Sequence, residues 1–157
     1  MDGAAEAEMK VLLQRVARAA VRVDGATVAA IGPGLLVLVG VEAGDTAEDA
    51  AWYAEKTAEL RIFADDEGRM NRSVEEAGGA VLVVSQFTLA ARTRRGRRPS
   101  FDAAALPQEA ELRYLDFVHA LRRRGIDTAT GRFRAMMEVE LVNDGPVTIL
   151  LDPRSAD

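Results

Sequence analysis

The chain has 157 residues, of which 48% are apolar and 29% charged, and it carries a net charge of −5 with no cysteine. These values are typical of a single globular domain, and they exclude disulfide bonds and thiolate metal sites. The acidic balance argues against general affinity for nucleic acid, and no apolar run reaches the length of a membrane span.

We predict one domain with a short tail at each end of the chain. Residues 1–8 are acidic and lack the basic and apolar regions of a signal peptide, so we expect a disordered tail there. Met9 begins the apolar pattern and is a candidate natural initiator. We predict a single domain over residues 9–152, a short tail over residues 153–157, and a cytoplasmic location without metal or cofactor.

Strand-like segments fill the first forty residues. Residues 9–23 predict a long strand that ends at the turn Asp24-Gly25, and residues 26–31 predict a returning strand. Residues 35–41 are continuously apolar, which predicts a strand buried on both faces.

Two helices are predicted from apolar spacing. Thr46 can cap the first helix, with Asp49 three residues on in a variant of the capping box. Its apolar stripe is Ala51, Ala54, Ala58 and Ile62. We predict the second helix from Gln108 to Arg124, ended by Gly125. Its apolar face is Leu112, Leu115, Val118 and Leu121.

The remaining segments predict a polar loop over residues 64–79 and strands over residues 80–90, 136–142 and 147–151. Asn143-Asp144-Gly145-Pro146 joins the last two strands and is typical of a hairpin turn. Strands at both chain ends with two main helices predict an α+β fold. We expect a curved, barrel-like β-sheet with the helices packed outside.

Few side chains suit catalysis. The lone histidine, His119, cannot form a metal site without cysteine partners, and no phosphate loop or nucleophile elbow is present. The remaining candidates are residues 85–89, which place a serine, an amide and a threonine at a strand end, and residues 143–148. Residues 92–98, the arginine loop, hold five arginines that either lie free in solvent or contact phosphate.

Pro146 is unusual after Gly145 in a hairpin, since it removes a backbone donor that a returning strand needs. X-Pro bonds reach the cis form at modest cost, and glycine has no side chain to obstruct a ligand. A cis bond here would turn two neighbouring carbonyl groups the same way. It would then present a rigid pair of acceptors to an amino group.

Taken together, these segments resemble the bacterial-type D-aminoacyl-tRNA deacylases over residues 9–151. The resemblance is carried by LQRV (13–16), GLLVLVGV (34–41), LRIF (60–63), MN (70–71), VVSQFTL (83–89), GRRPSF (96–101), TGRF (130–133) and LVNDGPVT (141–148).

The resemblance implies a carboxylic ester hydrolase of translation proofreading, which releases a D-amino acid from the terminal ribose of tRNA. Glycyl-tRNA mischarged on the alanine tRNA is an implied second substrate. A homodimer is also implied, with active sites at the interface, where Gly145 and Pro146 of one subunit enter the partner's site and reject L-amino acids. The implied partners are the aminoacylated 3′ end of tRNA and a second copy, with no membrane and no DNA.

The resemblance also implies roles for individual residues. The implied catalytic residues are Ser85, Gln86, Phe87 and Thr88. Gln86 and the Phe87 N–H are expected to donate to the oxyanion. Thr88 is either a nucleophile or a residue that positions water; we favour the second because no base is near it in sequence. The implied substrate-binding residues are Met137, Asn143, Gly145, Pro146 and Thr148, and the implied tRNA-binding residues are Arg92, Arg94, Arg95, Arg97 and Arg98.

One departure from the family pattern lies next to the expected pocket, and two alternative functions stay open. Arg134 stands where the family usually has glycine, which affects local backbone shape and substrate access. The first alternative is a non-catalytic RNA-binding dimer that uses the arginine loop and leaves the pocket idle. The second is a hydrolase of small D-amino-acid esters or amides that needs no RNA.

Overall fold

The computed structural model describes residues 8–156, so residues 1–7 of the predicted N-terminal tail and Asp157 lie outside the described residues. The elements are β1 (Lys10–Val23), β2 (Ala26–Ile31), β3 (Gly34–Gly40), α1 (Ala47–Glu59), β4 (Phe63–Ala64), β5 (Met70–Arg72), α2 (Val74–Ala77), β6 (Ala80–Ser85), a 3₁₀ turn (Phe87–Ala90), α3 (Pro107–Arg123), β7 (Thr128–Thr130) and β8 (Glu138–Leu150).

The long strand β1 organises a six-stranded sheet. It pairs antiparallel with β2, β3 and β8, and the sheet continues from β3 through β6 to β7 in parallel. β2 also contacts β6 and β7, because the sheet curves until its ends approach each other. The predicted α+β fold, with a barrel-like sheet and two main helices, is confirmed.

Alternate residues of the central strands face two separate cores. In β3, Leu35 and Val37 face the core beneath α1 and α3, whereas Leu36 faces the core inside the curved sheet. In β6, Val83 faces the core beneath the helices and Val84 faces the core inside the curved sheet. The predicted burial of residues 35–41 on both faces is therefore confirmed.

The first helix begins as predicted but buries a different stripe. Thr46 Oγ1 accepts the Asp49 N–H at 3.1 Å, and Asp49 Oδ2 accepts the Thr46 N–H at 2.8 Å. The prediction for Ala51 is wrong, since it is exposed. Ile62 is buried in the same core as Ala54 and Ala58 but lies beyond the helix end. The buried residues are Ala50, Tyr53, Ala54, Thr57 and Ala58.

The second long helix also buries a face rotated from the predicted one. Leu112 and Leu115 are 55% and 37% exposed, so their assignment to the core is wrong, whereas Val118 and Leu121 are buried. The buried residues of α3 are Ala110, Tyr114, Phe117, Val118 and Leu121. The Tyr114 hydroxyl donates to the Val83 carbonyl at 3.1 Å, and burial raises its pKa to about 12.

Two boundary predictions are corrected. Residues 64–79, predicted as a loop, contain part of the β4–β5 hairpin and the short helix α2, whose N-cap is Ser73. The strand predicted over residues 80–90 ends at Ser85, and a 3₁₀ turn follows.

Within residues 8–156, no helix is long and apolar enough to cross a membrane, and no cluster of three potential metal ligands occurs.

Candidate active site

The segment predicted as a hairpin turn is a bulge inside a single strand. β8 runs from Glu138 to Leu150 and stays antiparallel to β1 on both sides of the segment. Gln14 faces Thr148, and Val16, two residues further along β1, faces Asn143. Residues 144–147 therefore protrude opposite Arg15 alone. We call this segment the β8 bulge; the predicted hairpin is wrong, because the chain never reverses direction there.

Asn143 closes the base of the β8 bulge. Its Oδ1 accepts the Val147 N–H at 2.7 Å, and its Nδ2 donates to the Val147 carbonyl at 3.2 Å and to Thr148 Oγ1 at 3.0 Å. The Val147 side chain is buried in the core beneath the helices. The Asn143 amide thus holds the bulge closed, and both of its polar atoms are bonded within the chain.

Arg15 holds the other side of the bulge and was not among the predicted site residues. Its Nε donates to the Asp144 carbonyl at 2.9 Å, and its Nη1 donates to the Ile62 carbonyl at 2.6 Å. The side chain is only 16% exposed. The sequence carried no signal that singled out Arg15, since Arg18 and Arg22 are further arginines of the same strand. Its burial shows the role, because a largely buried arginine needs partners.

Gly145 and Pro146 form the exposed tip of the bulge. Their peptide bond is cis, and Gly145 has φ +146°, a conformation that side chains disfavour. A Cβ atom at Gly145 would lie 2.8 Å from Val147 Cγ2 and 2.9 Å from the Val147 nitrogen. Only glycine therefore fits this backbone without movement of its neighbours.

The second predicted segment follows β6 as a tight turn. The Gln86 N–H donates to the Val39 carbonyl at 2.8 Å, and the turn then begins at Phe87. Gly40 permits this approach, because a Cβ atom there would lie 2.8 Å from Leu89 Cβ. The Phe87 N–H occupies the first position of the turn, where a helical donor has no partner within the helix.

The Thr88 hydroxyl faces an amide rather than a base. Gln86 Nε2 donates to Thr88 Oγ1 at 2.8 Å, and this is the only side-chain hydrogen bond of that hydroxyl among residues 8–156. Thr88 and Phe87 are exposed, while Ser85 and Gln86 are half-buried. The segment can therefore offer hydrogen-bond donors to a ligand, but it holds no group that would deprotonate Thr88.

Two further predicted residues lie beside these segments. Met137 packs against the core inside the sheet. Gly131 lies between Met137 and Val84, since a Cβ atom at Gly131 would be 2.9 Å from the Met137 Sδ atom and 3.5 Å from Val84 Cγ2. Since Ser85 follows Val84, Met137 lies close to the end of β6. Thr148 Oγ1 is bonded to Asn143 and lies 3.4 Å from Gln14 Nε2.

The arginine loop is tied at its base. Arg92 and Ser100 exchange backbone hydrogen bonds of 2.7 and 2.8 Å, and the Arg92 guanidinium contacts both oxygens of the buried Glu42 at 3.2 and 3.3 Å. Arg92 is therefore occupied inside the protein. The remaining arginines of the loop are exposed and form no ion pair within the described residues: Arg94, Arg95, Arg97 and Arg98.

Arg134 has φ +67°. This left-handed conformation favours glycine, the residue that the resemblance led us to expect at this position. The Phe101 ring, at the end of the GRRPSF motif, packs edge-on against Phe87 with ring centroids 5.1 Å apart. This contact connects the arginine loop to the turn after β6.

The two predicted halves of the site do not meet within one chain. The β8 bulge lies opposite Arg15, whereas Ser85 aligns with Val39 of β3 and through it with Val11 of β1. Across the strands, from β8 to β6, the halves are three strand spacings apart, roughly 14 Å. Along the strand direction they are four residues apart, roughly 13 Å. No hydrogen bond joins them within residues 8–156.

Comparison with known proteins identifies the family. Residues 12–152 match the sequence profile of the D-Tyr-tRNA(Tyr) deacylases. The chain is 63% identical to "D-aminoacyl-tRNA deacylase" of Syntrophotalea carbinolica over 144 residues, which are 92% of this chain and 97% of that protein. It is 61% identical to the protein of the same name from Geobacter sulfurreducens, over 94% of this chain and 97% of that protein.

A solved structure shares the fold of this chain. The chain matches "c-Myc DNA Unwinding Element Binding Protein" with a TM-score of 0.86 and 38% identity, covering 91% of this chain and 97% of that chain. The match to the profile includes both the turn after β6 and the β8 bulge. The chain belongs to the D-Tyr-tRNA(Tyr) deacylase family.

Proposed function

We propose that this protein hydrolyses the ester bond of D-aminoacyl-tRNA, releasing free tRNA and a D-amino acid. The observation that carries the proposal is the family match over residues 12–152, a range that includes the turn after β6 and the β8 bulge. Relatives at 61% and 63% identity bear the name of this activity. Because those relatives are matched over 97% of their length, the whole unit that bears the name is present.

The active site is assembled from two copies of the chain. Within one chain the bulge and the turn are separated by two intervening strands, which supports a partner that supplies the missing half. β8 pairs only with β1 among the described strands, and apolar side chains lie exposed on and beside it. These are Met136, Val139, Val142 and Leu150. Exposed apolar side chains beside an open strand edge suit burial against a second copy.

The Gly145–Pro146 tip rejects L-amino acids by exclusion. Asn143 and Arg15 fix the bulge from both sides, so its backbone carbonyls form a rigid wall for the substrate amino group. If the amino group and the ester are both held, the L side chain points into this wall and the D side chain points away. Glycine has no side chain to exclude, so glycyl-tRNA mischarged on the alanine tRNA is a second substrate.

The turn after β6 stabilises the transition state. Gln86 and the Phe87 N–H donate to the developing oxyanion, and such donors are worth about 10²–10³ in rate. The Thr88 hydroxyl accepts a hydrogen bond from the Gln86 amide at 2.8 Å. It positions water or the ester and does not itself attack the ester carbon. The 2′-hydroxyl of the terminal adenosine assists the reaction, and Met137 contacts the adenine.

Four exposed arginines contact the tRNA backbone, while Arg92 serves to fix the loop. The contact between Phe87 and Phe101 places this loop beside the catalytic turn. Arginine side chains free of internal partners suit phosphate oxygens, and such contacts weaken with salt. The protein acts in the cytoplasm, where aminoacylated tRNA is present.

The decisive experiment incubates D-tyrosyl-tRNA and L-tyrosyl-tRNA with the protein and follows ester hydrolysis. We expect rapid loss of the D ester and an unchanged L ester. Equal stability of both esters would contradict the proposal and favour the non-catalytic RNA-binding dimer. If a small D-tyrosine ester without RNA is hydrolysed as fast as D-tyrosyl-tRNA, the result would favour the small-ester hydrolase instead.

A further inference from the structure

The loop that joins β7 to β8, residues 131–137, lies at the end of β6 from which the turn after β6 continues. At the start of this β7–β8 loop, the Gly131 N–H donates to the Val83 carbonyl at 3.0 Å. At its end, Met137 packs against Gly131 and, through it, against Val84. Val84 is the penultimate residue of β6. Both ends of the β7–β8 loop are therefore held beside the start of the turn after β6.

The middle of the β7–β8 loop is anchored by an aromatic contact. The Phe133 ring packs against the ring of the buried Tyr114, with ring centroids 5.9 Å apart. The Tyr114 hydroxyl in turn donates to the Val83 carbonyl at 3.1 Å. The loop is thus fixed to the end of β6 through Phe133 as well as through its two ends.

Arg134 holds an unfavourable backbone conformation within this loop. The Ala135 N–H donates to the Arg132 carbonyl at 3.1 Å, which closes a β-turn with Arg134 at its third position. Arg134 has φ +67°, and a positive φ at this position is normally met by glycine or asparagine. Residues held in sparsely populated backbone conformations cluster at functional sites. The position of Arg134 therefore indicates a role for its side chain outside the fold.

The Arg134 guanidinium has no acidic partner in the described part of the chain. Arg134 and the neighbouring Arg132 are both exposed, and neither forms an ion pair within residues 8–156. The carboxylate of Glu138, at the start of β8, is instead 3.7 Å from the Arg22 Nε atom. The positive charge of Arg134 is therefore available to an anion outside the chain.

A phosphate group is the anion that this location favours. The proposed function, on which this inference rests, places the terminal ribose of tRNA at the turn after β6. That ribose is joined to the preceding nucleotide through a phosphate, so phosphate groups accompany the ester into the site. A guanidinium binds phosphate oxygens through two parallel hydrogen bonds, which suits an exposed arginine beside the turn.

We propose that Arg134 binds a phosphate group of the tRNA 3′ end, and that it thereby makes the enzyme prefer esters carried on RNA to esters carried on a free nucleoside. Arg134 is then a substrate-binding residue separate from the arginine loop. Its strained backbone lowers the stability of the domain, and its phosphate contact strengthens substrate binding.

The first test compares two substrates, D-tyrosyl-tRNA and the 3′-D-tyrosyl ester of adenosine, which has no phosphate. In Arg134→Gly, the ratio of kcat/KM for the tRNA ester to that for the nucleoside ester should fall about tenfold, through a higher KM for the tRNA ester. Arg134→Lys should restore part of this ratio, since it keeps the charge without the planar fork. An unchanged ratio in Arg134→Gly would overturn the proposal.

The matched control is Arg123→Ala, which removes the same charge at the opposite end of β6. Arg123 is exposed and is the last residue of α3. The chain then passes to the start of β6, where the Val81 N–H donates to the Asp127 carbonyl at 2.9 Å. We expect the substrate ratio of Arg123→Ala to equal that of the wild type. An equal fall in both variants would show that net charge alone sets the ratio, and would overturn the proposal.

Thermal unfolding and sedimentation separate phosphate binding from a structural role. Because glycine adopts φ +67° without strain, Arg134→Gly should melt about 2 °C above the wild type while it binds RNA more weakly. A lower melting temperature would show that the side chain supports the fold. A changed oligomeric state would show that it contacts a second copy. Either result would overturn the proposal.

A binding measurement tests Arg134 even if the proposed function fails. Hydrolysis of neither ester by the wild type would refute the proposed function alone. Binding of a labelled, uncharged RNA hairpin that carries the single-stranded 3′ end of tRNA is then followed by fluorescence anisotropy. Arg134→Gly should lower the slope of log binding constant against log salt concentration by about 0.7, whereas Arg123→Ala should not. Equal slopes for the wild type and Arg134→Gly would overturn the inference.

Discussion

The β8 bulge offers a direct test of the site, because one side chain closes it. Asn143→Ala removes three hydrogen bonds, two of which involve the backbone of Val147. A partly buried backbone group without a partner costs about 1–3 kcal/mol, whereas the exposed Thr148 hydroxyl can turn to water. We therefore expect the free energy of unfolding to fall by about 2–4 kcal/mol.

Thermal unfolding and single-turnover hydrolysis of D-tyrosyl-tRNA measure the two consequences. For a domain of this size the loss corresponds to a melting temperature lower by about 8 °C. At a temperature where the Asn143→Ala variant is still folded, turnover should fall at least about tenfold, since the bulge would no longer be held in one geometry.

The matched control is Asn143→Asp. Its carboxylate keeps an acceptor for the Val147 N–H at 2.7 Å but loses the amide donor to the Val147 carbonyl. We expect its stability and its turnover to lie between those of the wild type and of Asn143→Ala. If Asn143→Ala melts at the wild-type temperature with unchanged turnover, the amide does not hold the bulge and our account of the site is wrong.

Four further predictions concern the site and the buried carboxylate of Asp45, which is 5% exposed. Gly145→Ala should lower D-substrate turnover at least about 100-fold, because its Cβ would displace the bulge tip; unchanged single-turnover rates would contradict this. Thr88→Ala should keep kcat within about tenfold, because no base activates the hydroxyl; an acyl-enzyme trapped in the wild type would reverse the assignment. Arg95→Ala should lower the slope of log binding constant against log salt concentration by about 0.7–0.9. Arg124→Ala should leave that slope unchanged, since two glutamates already hold its guanidinium. Burial raises the pKa of Asp45 to about 6, so the folded protein binds this proton more tightly than the unfolded chain does. The stability from Asp45 is thus complete below about pH 4 and lost as the pH rises through about 6. Denaturant unfolding across this range should show a flatter profile for Asp45→Asn.

Local patterns in the sequence predicted most of the elements correctly. The capping box at Thr46, the strand buried on both faces and the two long helices are decided by residues a few positions apart. Helix faces were predicted less well, because α1 and α3 pack against each other and share one core with the sheet. A face with two neighbours is set by their positions, so Leu112 and Leu115 remained exposed where spacing alone put them inside.

In the site, too, local sequence patterns identified some residues and only tertiary contacts identified others. The sequence identified residues 85–88 and 143–148 as the chemically distinctive segments. It could not identify Arg15, because the partners of that guanidinium are carbonyl groups at Ile62 and Asp144, 47 and 129 residues away in the chain. The role of Arg92 was also hidden, since its buried partner Glu42 is 50 residues away.

By itself the sequence determined the fold class, the family resemblance and the residues with chemical potential, since these depend on residue types and short spacings. Tertiary structure alone decided that the Asn-Asp-Gly-Pro segment is a bulge and not a hairpin. A hairpin and a bulge share the same turn residues, and they differ only in whether both flanking segments pair with one common strand. Here both pair with β1, from Leu12 to Arg22, and this pairing brings together residues more than a hundred positions apart.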